Sequence, residues 1–445
     1  MRTRPTTLIS HGAPHWLRTT IELLAILSSL ATPASHAAEI NAADTAWILT
    51  SSGLVLFMTV PGLAMFYGGL VRARNVLSVL AQCFAITAAC SMLWVIAGYS
   101  LALTDGGPAQ PWIGGLDRIF LQGLNAETMH ENLPEAVFCM YHMTFAIFAP
   151  ALIVGSLVER IRFSALLIFA SLWMLMVYVP VCHWLWGQGW LANLGAMDFA
   201  GGIVVHAAAG TAALTAATML GPRKGFPRLQ APPHNLTLTA TGAGILWVGW
   251  HGFSAGSALM ANGSAAMAML TTHIGAATGS LVWMTVEWIR FGKPTLLGIV
   301  TGMIAGLGMI APAAGYVSPA GAIVIGIIAG AIGLPAIHLI KQQLKIDDSL
   351  DVFPVHGLGG ILGALLTGIL ASEMLGGTGL AAEGGIPGQL AAQLIAITCT
   401  VIWSGQVSWI ILKLIDRHAG GLRVSSECET EGLDIRQHEE QGYNL

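Results

Sequence analysis

Val205-His206-Ala207-Ala208-Ala209-Gly210 and Val355-His356-Gly357-Leu358-Gly359-Gly360 share the pattern V-H-x-x-x-G, each inside an otherwise apolar helical run. Apolar stretches of about 20 residues, long enough to cross a bilayer as a helix, can be counted outward from this pair. There are eleven: 45–70, 76–103, 134–158, 163–185, 200–220, 236–259, 265–289, 295–312, 319–340, 352–372 and 388–415. The two histidines fall in spans five and ten. An odd number of spans per half gives the two halves opposite topology. That is the inverted-repeat plan, in which sites lie near the bilayer midplane where the halves meet. The expected fold is an all-α polytopic membrane protein with eleven transmembrane helices: two inverted five-helix repeats plus a final helix.

Depth arithmetic places the histidines. Asp198 marks the outer end of span five, and His206 is eight residues on, about 12 Å at the helical rise. That is near the middle of a hydrocarbon core about 30 Å thick. Asp351, read as a cap or network residue of span ten, lies five residues before His356, or about 8 Å. Gly359, Gly360 and Gly363 would let the two helices approach closely. Seven histidines lie in or beside spans, and a lone one more often bridges two helices through a hydrogen bond. The shared motif sets His206 and His356 apart, and an ionisable group at this depth points to function.

Composition agrees. Of 445 residues, 55% are hydrophobic and only 9% charged, against about 25% charged in soluble domains. A net charge of −4 offers no basic field for nucleic acid. The six cysteines show neither metal spacing nor a disulfide framework. No nucleophile–base set appears, so an enzyme, a metal site and a cofactor are not expected.

The charges orient the chain. Residues 1–37 carry Arg2, Arg4 and Arg18, a short apolar run from Ile21 to Leu30, and a small-residue site at Ser35-His36-Ala37. That order reads as a secretory signal peptide, leaving 38–415 as the membrane domain with its N-terminus outside. Fifteen of the remaining basic residues then fall in inner loops and tail, and Arg118 alone in the outer loops. The positive-inside rule sets the C-terminus in the cytoplasm, with the protein in the inner (plasma) membrane. The tail, 416–445, holds seven acids and three bases.

Longer motifs carry a resemblance. They include Phe57-Met58-Thr59-Val60-Pro61-Gly62, Phe66-Tyr67-Gly68-Gly69-Leu70, Thr144-Phe145-Ala146 and Leu157-Val158-Glu159-Arg160-Ile161-Arg162-Phe163. The runs Asp198-Phe199-Ala200-Gly201-Gly202-Ile203-Val204-Val205-His206 and Asp351-Val352-Phe353-Pro354-Val355-His356-Gly357 are very specific. Gly420-Gly421-Leu422-Arg423-Val424 and Glu431-Gly432-Leu433-Asp434 follow in the tail. From about residue 44 to the end, the sequence resembles the ammonium transporter family, which includes methylammonium permeases and Rhesus proteins. The resemblance implies a homotrimer with one pore per subunit. It implies recruitment of ammonium at Trp186, Phe145, Tyr141 and Ser257, and a gate of Phe145 and Phe253. It also implies a twin-histidine pore of His206 and His356 lined by Leu152, Leu246 and Val352. A PII-type nitrogen signal protein at the cytoplasmic face is implied as a partner. Residue chemistry alone leaves Trp186 readable as a belt tryptophan and the phenylalanine pair as core packing. It favours Asp198 as a helix cap over a direct cation ligand.

The chemistry fits such a pore. Moving a bare cation into low dielectric costs on the order of 20 kcal/mol. Each aromatic face returns about 0.5–2 kcal/mol, and the Ser257 hydroxyl can accept one N–H. Neither covers the cost, so the expected route is deprotonation and passage as ammonia, with two imidazoles relaying the proton. The alternative reading is an ammonium sensor signalling through a cytoplasmic partner. Departures from the family pattern at Tyr141, His142, His251, Ser254 and Ala311 cluster in the outer half of the pathway.

Overall fold

The computed structural model describes residues 40–228 and 232–443. The expected signal peptide at 1–37 lies outside the described residues. A helix answers each of the eleven expected spans. They are α1 (Ala42–Leu70), α2 (Ala73–Leu103), α3 (Glu135–Leu157), α4 (163–185), α5 (Gly202–Leu220), α6 (Leu236–Gly256), α7 (Gly263–Phe291), α8 (Leu296–Ile310), α9 (Pro319–Gln343), α10 (Phe353–Leu370) and α11 (Gly385–His418). Among the described residues, nine segments are long and apolar enough to cross a membrane. The other two of the eleven, α6 and α8, are helices of 21 and 15 residues. The outer loop 104–132 ends in a small hairpin, β1 (Met129–His130) against β2 (Leu133–Pro134).

Sequence explains where helices start. Asn235, Asn262, Thr295 and Ser318 each accept the N–H three residues on, opening α6, α7, α8 and α9. Each cap contributes about 0.5–2 kcal/mol. The faces turned away from the core carry Leu49, Phe84, Leu281, Ile289 and Ile402 exposed, which suits lipid.

Packing repeats at an interval of five helices. α2 packs on α3 and α4 as α7 packs on α8 and α9, and α3 packs on α5 as α8 packs on α10. α1 packs on α6, joining the halves, and α11 runs along α4, α5 and α10. Each member of the α5/α10 pair opens with a π-helical turn, Gly202–Ala207 and Phe353–Gly357, and each turn contains its histidine. Five other π-helical turns occur among the described residues, so it is the matching place of these two, and not the turn itself, that pairs them.

The contact between α5 and α10 is reciprocal. A Cβ on Gly210 would overlap the backbone of Gly357, and one on Gly360 would overlap the Gly202 carbonyl and crowd Ala207 N. Residues 207 and 210 are related to 357 and 360 by the same offset, so each glycine meets the other's counterpart helix turn. Gly363 also abuts backbone, at Met309, but Gly359 has only ordinary contacts. The close approach therefore depends on Gly360, as expected, and on Gly210 and Gly357, which were not expected, and not on Gly359.

The end where α3 turns into α4 and α5 into α6 is tied by buried charge. Glu159 accepts from Arg72 Nε at 2.8 Å, Asn75 Nδ2 at 2.9 Å and Arg223 Nη1 at 3.1 Å. Arg223 also donates to both oxygens of Asp347 at 2.9 Å. Arg160, fully buried, donates to Ser349 Oγ and to the Asp347 and Gly221 carbonyls. Burial pushes Glu159 up, but the Arg72 hydrogen bond and the Arg223 charge outweigh it and hold the acid below its ordinary 4.5. Burial likewise opposes Asp347, and its hydrogen bonds from Arg223 win, leaving it below 3.8.

The tail packs against this end. Asp434 accepts the N–H groups of Leu77 at 3.1 Å and Ser78 at 2.8 Å. Gln437 accepts from Phe163 N at 2.7 Å, and Glu429 accepts from Lys224 N and pairs with Arg423, each at 2.7 Å. Of the two tail motifs that carried part of the resemblance, the second thus packs on the first turns of α2 through Asp434, and the first on the segment before α4, where Leu422 O accepts from Arg162 N at 2.9 Å and Val424 N donates to Arg160 O at 3.0 Å.

Candidate functional site

Each histidine is positioned by an aspartate eight residues before it. Asp198 accepts four backbone N–H groups: Gly201 at 3.0 Å, Gly202 at 2.6 Å, Ile203 at 2.8 Å and Val204 at 2.9 Å. These are the orphan donors of the first turn of α5. Gly201 permits the entry with φ of 91°, a conformation that favours glycine. In the second half the cap is Asp348, which accepts from Val352 at 3.1 Å and Phe353 at 2.7 Å. Asp351 does not cap α10. It pairs with Lys341 Nζ at 2.7 Å and belongs to the network. The equal intervals Asp198–His206 and Asp348–His356 were the available signal for Asp348. Of the two roles expected for Asp351, cap or network residue, the cap falls to Asp348 and the network role fits the Lys341 pair.

The structure brings the two histidines together. Their rings lie 5.2 Å apart, 14° from parallel, and His206 also stacks on Trp250 at 5.4 Å and 8°. Both ring nitrogens of His206 and Nδ1 of His356 are buried without a hydrogen-bond partner. An unmet buried polar atom costs about 1–3 kcal/mol. Three in one place form a buried polar spot inside an apolar wall. Trp250, the second face of this sandwich, was not among the expected residues. It follows from packing between α5 and α6 and left no local sequence mark.

Cavities approach the pair from both ends. An outer cavity of about 660 Å³ is lined by Tyr141, His142, Phe145, Trp186 and Ser257 among others. The Phe145 ring meets Trp186 edge-on at 5.6 Å and stacks on Phe253 at 4.3 Å and 19°. The His206 ring lies 6.0 Å from Phe253, and both are fully buried. An inner cavity of about 1100 Å³ reaches His356 from the charged end, lined by Arg72, Glu159, Arg223 and Asp351.

The remaining expected residues fall as follows. Trp186 Nε1 donates to the Asp198 carbonyl at 2.8 Å, so this ring is fixed at the mouth. Ser257 Oγ lies 3.0 Å from the Phe253 carbonyl. Tyr141 Oη lies 2.8 Å from the same carbonyl and 3.3 Å from Ser257 Oγ. The Tyr141 hydroxyl is thus turned into the α6 backbone. Leu152, Leu246 and Val352 are buried, with the Leu152 carbonyl accepting from Tyr67 Oη at 3.1 Å. His251 is away from the pair, with Nδ1 at its own helix carbonyl of Val248 and its ring 5.7 Å from His273. No cluster of three or more potential metal ligands occurs among the described residues.

This is the geometry of a membrane conduit: two vestibules, an aromatic stack beneath the outer one, and a polar pair at the join of two inverted halves. Comparison with known proteins narrows the class. The Ammonium Transporter Family profile matches residues 46–443. The ammonium transporter of Aquifex aeolicus is 45% identical over 430 residues, covering 95% of this chain and 98% of its own. Ammonium transporter Amt1 of Archaeoglobus fulgidus is 44% identical, covering 90% and 99%. Among solved structures, Saccharomyces cerevisiae Mep2 superposes with a TM-score of 0.79 at 35% identity, covering 87% of this chain and 89% of its own. A protein described as a sensor Amt protein superposes with a TM-score of 0.83 at 28% identity, covering 89% and 98%. The chain belongs to the ammonium transporter family.

Proposed function

We propose that this chain carries ammonium nitrogen across the inner membrane, from the Trp186 vestibule to the Arg223 vestibule. The observation that supports it most is the stacked His206–His356 pair, with orphaned ring nitrogens, set between two cavities. Ammonium enters the outer cavity, where the faces of Trp186, Phe145 and Tyr141 attract it and Ser257 offers an acceptor. Phe145 and Phe253 must part to admit it. Beyond them Leu152, Leu246 and Val352 exclude a bare cation. The proton leaves and the nitrogen moves as ammonia past His206 and His356. A neutral imidazole has one donor and one acceptor nitrogen, so the pair can take a proton at one ring as it yields one at the other. Asp198 acts by holding the α5 turn and Trp186 in place, and Asp351 by steadying the inner mouth.

The working unit in this reading is a homotrimer with one pore in each subunit. The C-terminus and residues 416–443 face the cytoplasm, where a PII-type signal protein would meet the inner mouth. The test is simultaneous measurement of current and ammonia uptake in proteoliposomes without any partner protein. Wild type takes up nitrogen, and matched current marks net charge movement. The double variant His206→Ala, His356→Ala loses ammonium-driven current. Unchanged current in that variant sinks the relay, and wild type with neither uptake nor current favours a sensor.

A further inference from the structure

The outer cavity holds an imidazole that the reading above leaves unused. The His142 ring lies 4.3 Å from Phe138, 6.1 Å from Trp186 and 6.4 Å from Phe145. It lines the same cavity as Trp186, Phe145 and Ser257. Its Nδ1 is 3.1 Å from the Phe138 carbonyl oxygen. A carbonyl only accepts, so Nδ1 carries a proton, and in the neutral ring Nε2 carries the lone pair. No hydrogen bond reaches Nε2 among the described residues, and it is not one of the sealed orphan atoms that both nitrogens of His206 are. It therefore opens to the cavity.

We propose that His142 Nε2 is an N–H acceptor for ammonium bound in the outer cavity, and that protonation of this nitrogen closes the site. The proposal rests on the transport reading and adds the pH control of its first step. Ammonium has four N–H donors. The ring faces attract its charge but offer no directional acceptor. The Ser257 hydroxyl, its own proton directed at the Phe253 carbonyl, supplies one acceptor, and the Tyr141 hydroxyl is directed at backbone. Neutral His142 supplies another. A proton on Nε2 turns the acceptor into a donor and adds a positive charge beside the Trp186 face, where it opposes a second cation.

The surrounding ionisable groups do not substitute for it. Asp105 and Glu131 are exposed at the rim of the cavity. Glu135, below His142 on α3, is held by Arg118 at 2.8 Å, and Asp198 is committed to the α5 turn. His130 stacks on the far ring, Phe138, at 3.6 Å, and burial pulls its pKa below 6.5. Between about pH 5 and pH 8 histidines change charge, and so does Asp198, which burial pushes up to about 6. His130→Gln is therefore the necessary control for the first, and a slope that survives His142→Gln assigns the titration to Asp198 and overturns the proposal.

The test is the half-saturating ammonium concentration for uptake into proteoliposomes at outer pH from about 5 to about 8. For wild type it is expected to rise about tenfold or more toward the acid end, the fold-change of one lost hydrogen bond to a charged group. His142→Gln keeps an acceptor that does not titrate. It is expected to hold near-wild-type affinity at the alkaline end and to flatten the profile. His142→Leu is expected to be about tenfold weaker at the alkaline end and flat. His130→Gln keeps the wild-type profile. A flat wild-type profile, a His142→Leu variant with wild-type affinity and slope, or a slope abolished by His130→Gln each overturns the assignment. Wild type with no uptake at any pH overturns the transport reading and the assignment together.

Discussion

At the start of α5 the Asp198 carboxylate takes four backbone N–H groups, and at the start of α10 the Asp348 carboxylate takes two. Otherwise the two regions match: the same interval to a histidine, the same π-helical turn, the same glycine against the facing backbone. Their surroundings differ more. His206 is fully buried beside Phe253, whereas His356 borders the inner cavity. One device, used twice, ends in an occluded site toward the Trp186 cavity and an open one toward the Arg223 cavity. The aromatic stack and the charged network, which have no such pairing, make the difference.

The most severe way to break this correspondence is at the reciprocal contact. Gly210→Leu and Gly360→Leu each drive a side chain into backbone. Both are expected to abolish accumulation of folded protein, read by size-exclusion profile in detergent. Next come the aspartates. Asp198→Ala strips acceptors from four N–H groups and Asp348→Ala from two, at about 1–3 kcal/mol for each group left unpaired. Thermal unfolding is expected to show the larger loss for Asp198→Ala, and equal losses would show that the caps are equivalent.

Acid should act on the charged end that holds Glu159 and Asp347. Glu159 and Asp347 lie below their ordinary values of 4.5 and 3.8. A depressed carboxylate contributes stability that is full above its unfolded value and is lost as pH falls through the folded value. Melting temperature is expected to drop as pH falls through and below 4.5. In Arg223→Gln, already destabilised by losing a shared partner, that drop should be shallower. The mildest change is Phe253→Leu, a swap expected to cost less than about 1.5 kcal/mol. It should raise the rate at which diethyl pyrocarbonate labels His206 from the outer side. An unchanged rate would place the seal elsewhere.

How far the sequence could be read depends on whether a feature is local. V-H-x-x-x-G is local, and it led to the repeat, the order of the spans and the meeting of His206 with His356. The segment Asp347-Asp348-Ser349-Leu350-Asp351 is also local, but it offers three acids, and only the matching interval to Asp198 singles out the cap. The Trp250 face on His206 and the sharing of Arg223 between Glu159 and Asp347 are long-range contacts. Counting basic residues placed Arg223 in an inner loop and gave no sign that Glu159 and Asp347 share it. The direction of the Tyr141 hydroxyl is a rotamer choice, fixed by the carbonyl of Phe253, and composition carries no trace of it.

The offset of 150 residues between Asp198 and Asp348, His206 and His356, and Gly210 and Gly360 gives the protein an internal control. A substitution at any of these three positions has a twin in the other half, in the same chain but on the opposite side of the join. Where the twins respond alike, the response belongs to the chemistry of the residue. Where they differ, the residue identity cancels and what is left is the effect of lying on the other side of the join.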